Sequence, residues 1–425
     1  MKPYDILIIG AGAAGLIAAG RAGELGAKVM VVERNRVAGR KLLITGKGRC
    51  NITNDAPWDG YKENIFPEWR FFRQAFNQLG PKEVVEHFHQ LGLSTKVERG
   101  GRIFPESDKS ADVVNTLLQW AQRNRVEFLY DQKVTKLLIE NGSIKGVEVQ
   151  TGNTVKSLFA HNIILASGGK SYPATGSDGN GYRLAQIAGH STTPLNAALV
   201  PLETACTTAA KLQGLSLKNV TATLWINGKK AATEFGEMLF THFGLSGPII
   251  LTISRKAVLS LREGNNVEIS IDLKPALDEK KLDTRLLRDL NENGRKLLGN
   301  IARMWLPASL GEVVLDLAGI SPELEGNKID SPARKKLLFL MKNLRFQISG
   351  HRQFKEAIIT AGGVNLKEID PRTMQSKLTK NLFFAGEILD LDANTGGFNL
   401  QIAWSTGWAA AEAAVGNLEP TQTAI

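Results

Sequence analysis

The sequence predicts an α/β protein in which a parallel-sheet unit, assembled from both ends of the chain, is interrupted by a β-rich segment carrying a helical insertion. Three observations predict it. The chain opens with an apolar run, a glycine cluster, a small-residue helix and a second apolar run that ends in an acid. Between about residues 191 and 273 apolar residues alternate, as in strands with one buried face. Between 274 and 344 they recur at helical spacing among many Lys, Arg, Leu and Glu residues, and buried-strand and glycine-turn character returns from about 355.

The elements follow in order. Tyr4 to Ile9 reads as a buried strand, followed at once by Gly10-Ala11-Gly12-Ala13-Ala14-Gly15. Gly10 permits the tight turn, Gly12 lets backbone approach a pyrophosphate, and Gly15 lets helix and strand pack closely. The helix N-terminus offers free N–H groups and the positive end of a dipole to the phosphates. Lys28 to Val32 is the second strand, and Glu33 at its end stands where a carboxylate accepts from ribose hydroxyls. Together these define a dinucleotide-binding unit. Pro81 to Leu91 and Ser110 to Arg123 read as helices, and a run of strands from Val126 to Val155 turns at Asn141-Gly142. Ile163 to Ala166 is a further buried strand, ending in Ser167-Gly168-Gly169. In the β-rich segment, Val220 to Ile226 turns at Asn227-Gly228, and Asn266 to Leu273 alternates. In the helical segment, Ser331-Pro332 reads as an N-cap followed by proline at the first helical position. Leu382 to Ala385 is a short buried strand, Asn394 to Asn399 a turn, and Leu400 to about Val415 a helix; residues 419–425 read as a frayed tail. The expected domains are therefore 1–190 with 355–425, 191–273 with 345–354, and 274–344.

A chain of 425 residues, 43% hydrophobic and 22% charged, fits a soluble protein of two or three domains. The longest apolar stretch, Ile6 to Ala19, is broken by glycines and suits a nucleotide fold better than a membrane span or signal segment. Cys50 and Cys206 supply neither a disulfide framework nor a metal cluster, which points to a reduced, cytoplasmic compartment. His87 and His89, two apart on a helix, do not share a face, so no metal site is expected. The net charge of +10 favours a polyanionic partner, nucleic acid above all, although many soluble enzymes are basic without one. Arg334-Lys335-Lys336, with Lys342 and Arg345, reads either as a track for an RNA backbone or as a solvated helix face.

Only one GxGxxG lies in a strand–helix context, so one nucleotide is tightly held. The C-terminal segment points to FAD rather than NAD. Phe384-Ala385-Gly386-Glu387-Ile388-Leu389-Asp390, followed by Gly396-Gly397-Phe398-Asn399-Leu400, suits a flavin. A strand end delivers a carboxylate to the ribityl chain, and a second helix N-terminus faces the isoalloxazine N1–C2=O edge, where negative charge develops on reduction. The simpler reading of Asp390 and Asn399 is a turn acid and a cap.

Longer motifs carry a resemblance. Gly39-Arg40-Lys41 and Thr45-Gly46-Lys47-Gly48-Arg49-Cys50-Asn51-Ile52-Thr53-Asn54 resemble the signature of the BaiN/RdsA-like flavoproteins, a branch of the glutathione-reductase-type FAD superfamily. The resemblance continues through Gly169 to Pro173, Gly176 to Gly179, Thr241 to Pro248, Thr360 to Val364 and the segment from Phe384 to Asn399, and so covers essentially the whole chain. It implies an FAD-binding Rossmann-type, glutathione-reductase-like domain with an inserted β-barrel-like domain and a helical subdomain. By the same resemblance, Gly10, Gly12, Ala13, Ala14 and Gly15 hold the pyrophosphate, Glu33 the adenosine ribose, and Arg40 and Lys41 sit beside the phosphates and flavin. Val134 gives adenine backbone contacts. Gly386, Asp390, Gly397, Phe398, Asn399 and Leu400 wrap the ribityl chain and flavin. Arg34, Gly46, Arg49, Asn51, Ala166, Ser167, Gly168 and Glu387 complete the expected cofactor set.

Reduction of a polarised C=C bond needs hydride on one carbon and a proton on its neighbour, from an acid about 3 Å away. Three candidates stand out for that acid. Cys50, between Arg49 and Asn51, is expected to have a lowered pKa, or else is a small packed cysteine. His242, in a loop of the β-rich segment, is a proton donor, a substrate anchor or a structural histidine. Tyr172 is the third. The resemblance implies one of three activities: dihydrouridine synthesis in large-subunit (23S) ribosomal RNA, reduction of a steroid-like enone, or oxidation of aminoacetone with oxygen. The basic charge favours the first, with NAD(P)H as transient electron donor and ribosomal RNA as partner. A small-molecule substrate is the alternative, and a non-catalytic RNA- or ribosome-binding flavoprotein is a third reading.

Overall fold

The computed structural model describes residues 3–418. Within them, the residues up to Asn196 and those from Ile358 onward form one compact unit, and Ala197–Ala357 form a second. The tail read over 419–425 lies outside the described residues.

The first unit is organised by a parallel sheet. Glu127–Leu129, Val29–Val32, Tyr4–Ile9 and the end of Thr154–Leu165 lie side by side, and Leu382–Phe384 pairs on the far side of the last. Ile6 faces Val29, Ile8 faces Val31 and Ile163 faces Leu382 in register. Consecutive, not alternating, apolar residues build these strands because both faces are covered: Ile6, Leu7 and Ile8 are all wholly buried. Thr154–Leu165 changes partners midway. Its first half pairs antiparallel with Ser143–Thr151, which in turn pairs with Lys133–Glu140. The buried strand read from Ile163 is thus only the end of a twelve-residue strand. Its exposed first half carries no apolar run to betray it.

Two helices lock the sheet. Ala13–Glu24 crosses the final helix Phe398–Gly416 so closely that a Cβ on Gly407 would lie 2.5 Å from the Ala14 carbonyl oxygen. That final helix is buried on nearly every face, and its polar side chains are all engaged. The Trp404 indole donates to Ile52 O at 2.9 Å, Gln401 donates to Leu79 O at 2.8 Å, and Thr406 Oγ1 accepts from Gly386 N at 2.9 Å. The last of these bonds holds the turn at Gly386, which lines the site below.

The second unit is a closed antiparallel barrel of six strands. Their order around it is Leu202–Thr204, Gly244–Ser246, Lys229–Thr241, Ser216–Ile226, Val267–Asp272 and Leu344–His351. Four helices, Glu279–Glu292, Leu298–Trp305, Ala308–Ala318 and Ser331–Lys342, come between the last two strands in sequence. The cap of the last helix differs from the reading. Asp330, not Ser331, is the N-cap, its carboxylate accepting from Ala333 N at 2.8 Å, so Pro332 is the second helical residue.

Four of the five cations of the basic cluster are engaged within their own unit. Arg334 pairs with Asp283 at 2.8 Å and Lys336 donates to Ala318 O at 2.8 Å. Lys342 is held by Asp272 and by the carbonyls of Lys274 and Leu277, and Arg345 lies against Glu268 and over Trp225. These four cations help join a helix or strand end to a neighbouring element of the same unit, and Lys335 is exposed.

Candidate active site

A cavity of about 640 Å³ opens along the C-terminal edge of the parallel sheet in the first unit. That is the edge where open α/β sheets bind ligands. Gly10, Gly12, Ala13, Ala14, Glu33 and Arg34 line one stretch of it. Arg40, Lys41, Gly46, Val134 and Tyr172 line it too, with Ala166, Ser167 and Gly168 from the turn after the long strand. Gly386, Glu387, Asn399 and Leu400 come from the C-terminal turn and helix.

The glycine turn fits a dinucleotide phosphate. Gly10 has φ +102, and an added Cβ would sit 2.7 Å from Ala166 O; one on Gly15 would sit 1.8 Å from Gly10 O. Both glycines are therefore demanded by packing. Gly12 is different: a Cβ there meets no atom within 4 Å, so its openness serves whatever lies in the cavity. The helix it begins has neither a side-chain cap nor an acid in its first turn, leaving its N–H groups for an anion. The Glu33 carboxylate is fixed by Ala11 N at 2.8 Å and by Asn35 N and Nδ2 at 2.8 and 2.7 Å. Oε1 is filled by the two Asn35 donors, whereas Oε2, with one donor, keeps acceptor capacity for a ribose hydroxyl. On the same wall, Gln132 Oε1 and Ser167 Oγ are buried with no hydrogen-bond partner. An elongated cavity with an anion-binding turn, an acid beyond it and unsatisfied polar atoms fits FAD.

The cavity wall also carries an ion-pair network. Lys41 Nζ donates to Glu387 Oε2 at 2.6 Å and to Ser171 Oγ at 2.7 Å. Ser171 Oγ donates to Glu387 Oε1 at 2.6 Å, and Thr360 N donates to the same oxygen at 2.9 Å. Thr360 Oγ1 in turn accepts from Lys170 N and Ser171 N. This orders a charged pair on the cavity wall with little freedom to move. Asn399, read as a cap or a flavin contact, closes the preceding turn by bonding Ala393 through both ends of its amide. Val134 lines the cavity, but its carbonyl is already taken by Asn180 Nδ2 at 3.0 Å.

Several expected residues take other places. Gly15 packs helix on turn. A Cβ on Gly397 would meet Thr53 O at 2.4 Å, and Phe398 packs edge-on against Tyr61. Asp390 is buried behind the turn, and Asn51 is half-buried with its Oδ1 unpartnered. Arg49 is committed to Glu98 and Asp108 and lies over Phe104 at 4.2 Å.

Cys50 is corrected by the same geometry. It is wholly buried, and burial pushes its thiol up to about 12 despite a hydrogen bond with Thr45. Arg49, expected to lower that value, has its charge answered by two carboxylates. Cys50 is a packed core residue that does not line the cavity, and its thiol is not activated. Tyr172 stays on the cavity wall, held at φ +51 and ψ +58 by the turn before Pro173. His242 belongs to the barrel unit, where its ring packs edge-on against Phe243. The sequence reading missed Gln132, Asn180 and Ile358 on the wall, which carry no glycine or charge pattern.

The fold and the cavity define an FAD-dependent oxidoreductase. The family model described as "HI0933-like protein Rossmann domain" matches residues 4–413, and the chain belongs to that family. It is 33% identical to the 3-dehydro-bile acid delta(4,6)-reductase of Clostridium scindens, over 96% of this chain and 98% of the relative. It is 29% identical to the ribosomal RNA dihydrouridine synthase of Escherichia coli K12, over 97% and 98%. Both bear out the BaiN/RdsA-like resemblance. Among solved structures, the 3-ketosteroid delta1-dehydrogenase of Sterolibacterium denitrificans aligns with a TM-score of 0.54 at 14% identity, over 98% of this chain and 100% of that one, and shares the fold. Among the described residues, no helix is long and apolar enough to cross a membrane.

Proposed function

We propose that this protein saturates a conjugated C=C bond with electrons from NADH or NADPH, and that its substrate is uridine in ribosomal RNA. One observation supports the reaction class. Two relatives matched over nearly their whole length are named for saturating C=C bonds in unlike molecules, a bile acid and a uridine. The net charge of +10 favours the RNA substrate.

Bound FAD supplies the hydride. The chain's own residues do the rest. The glycine turn and Arg40 would bind the diphosphate, Glu33 would bind a ribose hydroxyl, and the Lys41–Glu387 pair would fix charge on the wall of the cofactor cavity. A proton must reach the neighbouring carbon. With Cys50 buried, Tyr172 is the proposed donor, because its hydroxyl has no protein partner among the described residues and it stands on the cavity wall. His242 is the second candidate.

The small-molecule reading is favoured by the higher identity to the bile-acid reductase. An anaerobic titration separates these readings. NADH or NADPH should bleach the flavin, and uridine-containing RNA should restore its colour. Restoration by a steroid enone and not by RNA would favour the small-molecule reading. Oxygen uptake with aminoacetone would indicate an oxidase. No bleaching by either nicotinamide would leave the non-catalytic flavoprotein reading.

A further inference from the structure

We propose that Lys47 binds a backbone phosphate of the substrate RNA at the cavity wall. The inference rests on the RNA reading above and names the group that would recognise it.

Between Arg34 and Asn54 the chain carries six cations and no acid: Arg34, Arg36, Arg40, Lys41, Lys47 and Arg49. The fold neutralises four of them. Arg34 pairs with Asp178, Arg36 with Asp131, Lys41 with Glu387, and Arg49 with Glu98 and Asp108. The remaining two of the six, Arg40 and Lys47, both line the cavity and have no carboxylate partner among the described residues. Arg40 follows Gly39, whose N–H donates to Ala11 O at 2.8 Å, and so stands beside the glycine turn that takes the cofactor's diphosphate. Lys47 comes after the short helix Arg40–Ile44, is exposed, and its side chain has no hydrogen-bond or ion-pair partner among the described residues.

The backbone singles it out further. Gly46 has φ +56, Lys47 φ +58 with ψ +41, and Gly48 φ +84. Glycine adopts this left-handed region freely, and lysine does so only under strain. The loop is held from both sides. Arg49 anchors it to Glu98 and Asp108, and buried Cys50 closes it by donating N–H to Thr45 O at 3.1 Å. Lys47 is thus a strained cation presented on a braced loop. Beside it on the same wall, Ile44 is 47% exposed. An apolar surface next to an unpaired cation matches the two halves of a nucleotide, a base and its phosphate.

The test uses the FAD-loaded protein with Lys47→Gly and Lys47→Arg. Glycine suits φ +58, so Lys47→Gly is expected to melt at or above the wild-type temperature. FAD per chain should stay at the wild-type value. Binding of a single-stranded, uridine-containing RNA is then measured against salt concentration. Loss of one phosphate contact should make the slope of log K against log salt shallower by about 0.7. Lys47→Arg should restore it. A Lys47→Gly slope equal to that of a wild type that binds RNA overturns this proposal alone. Loss of FAD from Lys47→Gly overturns it too and assigns the residue to the cofactor. A wild type that neither binds nor reduces RNA overturns the RNA reading, and this proposal with it.

Discussion

Replacing Gly12 by alanine should separate cofactor binding from folding. Gly12 has φ −81 and ψ −168, which any residue adopts, and its added Cβ would meet no protein atom within 4 Å. The apo-protein should therefore keep its stability, or gain about 0.4–1 kcal/mol from the less flexible unfolded chain. The new methyl projects where the diphosphate must approach the free N–H groups of Ala13 and Ala14. Loss of one charge-assisted hydrogen bond costs about 1.5–3 kcal/mol, or roughly a 10- to 150-fold weaker FAD dissociation constant. Gly15→Ala is the contrast, because its Cβ would lie 1.8 Å from Gly10 O, so it should fail to fold before FAD is added. Thermal melting of the apo-proteins and fluorescence titration with FAD measure both. Wild-type FAD affinity in Gly12→Ala, or a stable Gly15→Ala apo-protein, would refute the reasoning.

Three further outcomes follow from the same geometry. Cys50→Ala should keep the wild-type rate of product formation, since the thiol is wholly buried in the core and does not line the cavity. Its raised pKa also means the thiol contributes stability below its ordinary 9.0 that is lost as pH climbs from there toward about 12. The variant should therefore show less alkaline destabilisation in urea melts, and an unchanged alkaline limb would contradict this. Lys342→Glu places a like charge beside Asp272 and should cost about 2 kcal/mol in denaturant melts while leaving RNA affinity alone; weakened RNA binding at full stability would return that helix to the binding surface. Glu387→Gln leaves Lys41 uncompensated on the cavity wall and should raise the flavin midpoint potential by about 30 mV, whereas an unmoved potential would place the pair away from the flavin.

Much of this site was readable because its mechanics are local. Gly15 owes its place to a backbone clearance within one turn, Gly12 stands open toward the cavity, and the spacing to Glu33 is set by one helix and one strand. The consecutive apolar residues of Tyr4–Ile9 announced a strand covered on both faces. What stayed hidden depends on residues distant in sequence. The cations flanking Cys50 suggested an activated thiol, but Arg49's charge is spent on Glu98 and Asp108, some fifty to sixty residues away. The same holds for Arg334 and Lys342, whose partners Asp283 and Asp272 lie far from them in sequence. Charge counted along a chain does not reveal which charges the fold has already paired.

The most direct test of the central claim is mass spectrometry of ribosomal RNA from cells with and without this gene. Conversion of uridine to dihydrouridine adds two hydrogens. The account predicts that one such addition disappears on deletion and returns when the gene is restored. A modification map that is unchanged by deletion would contradict it.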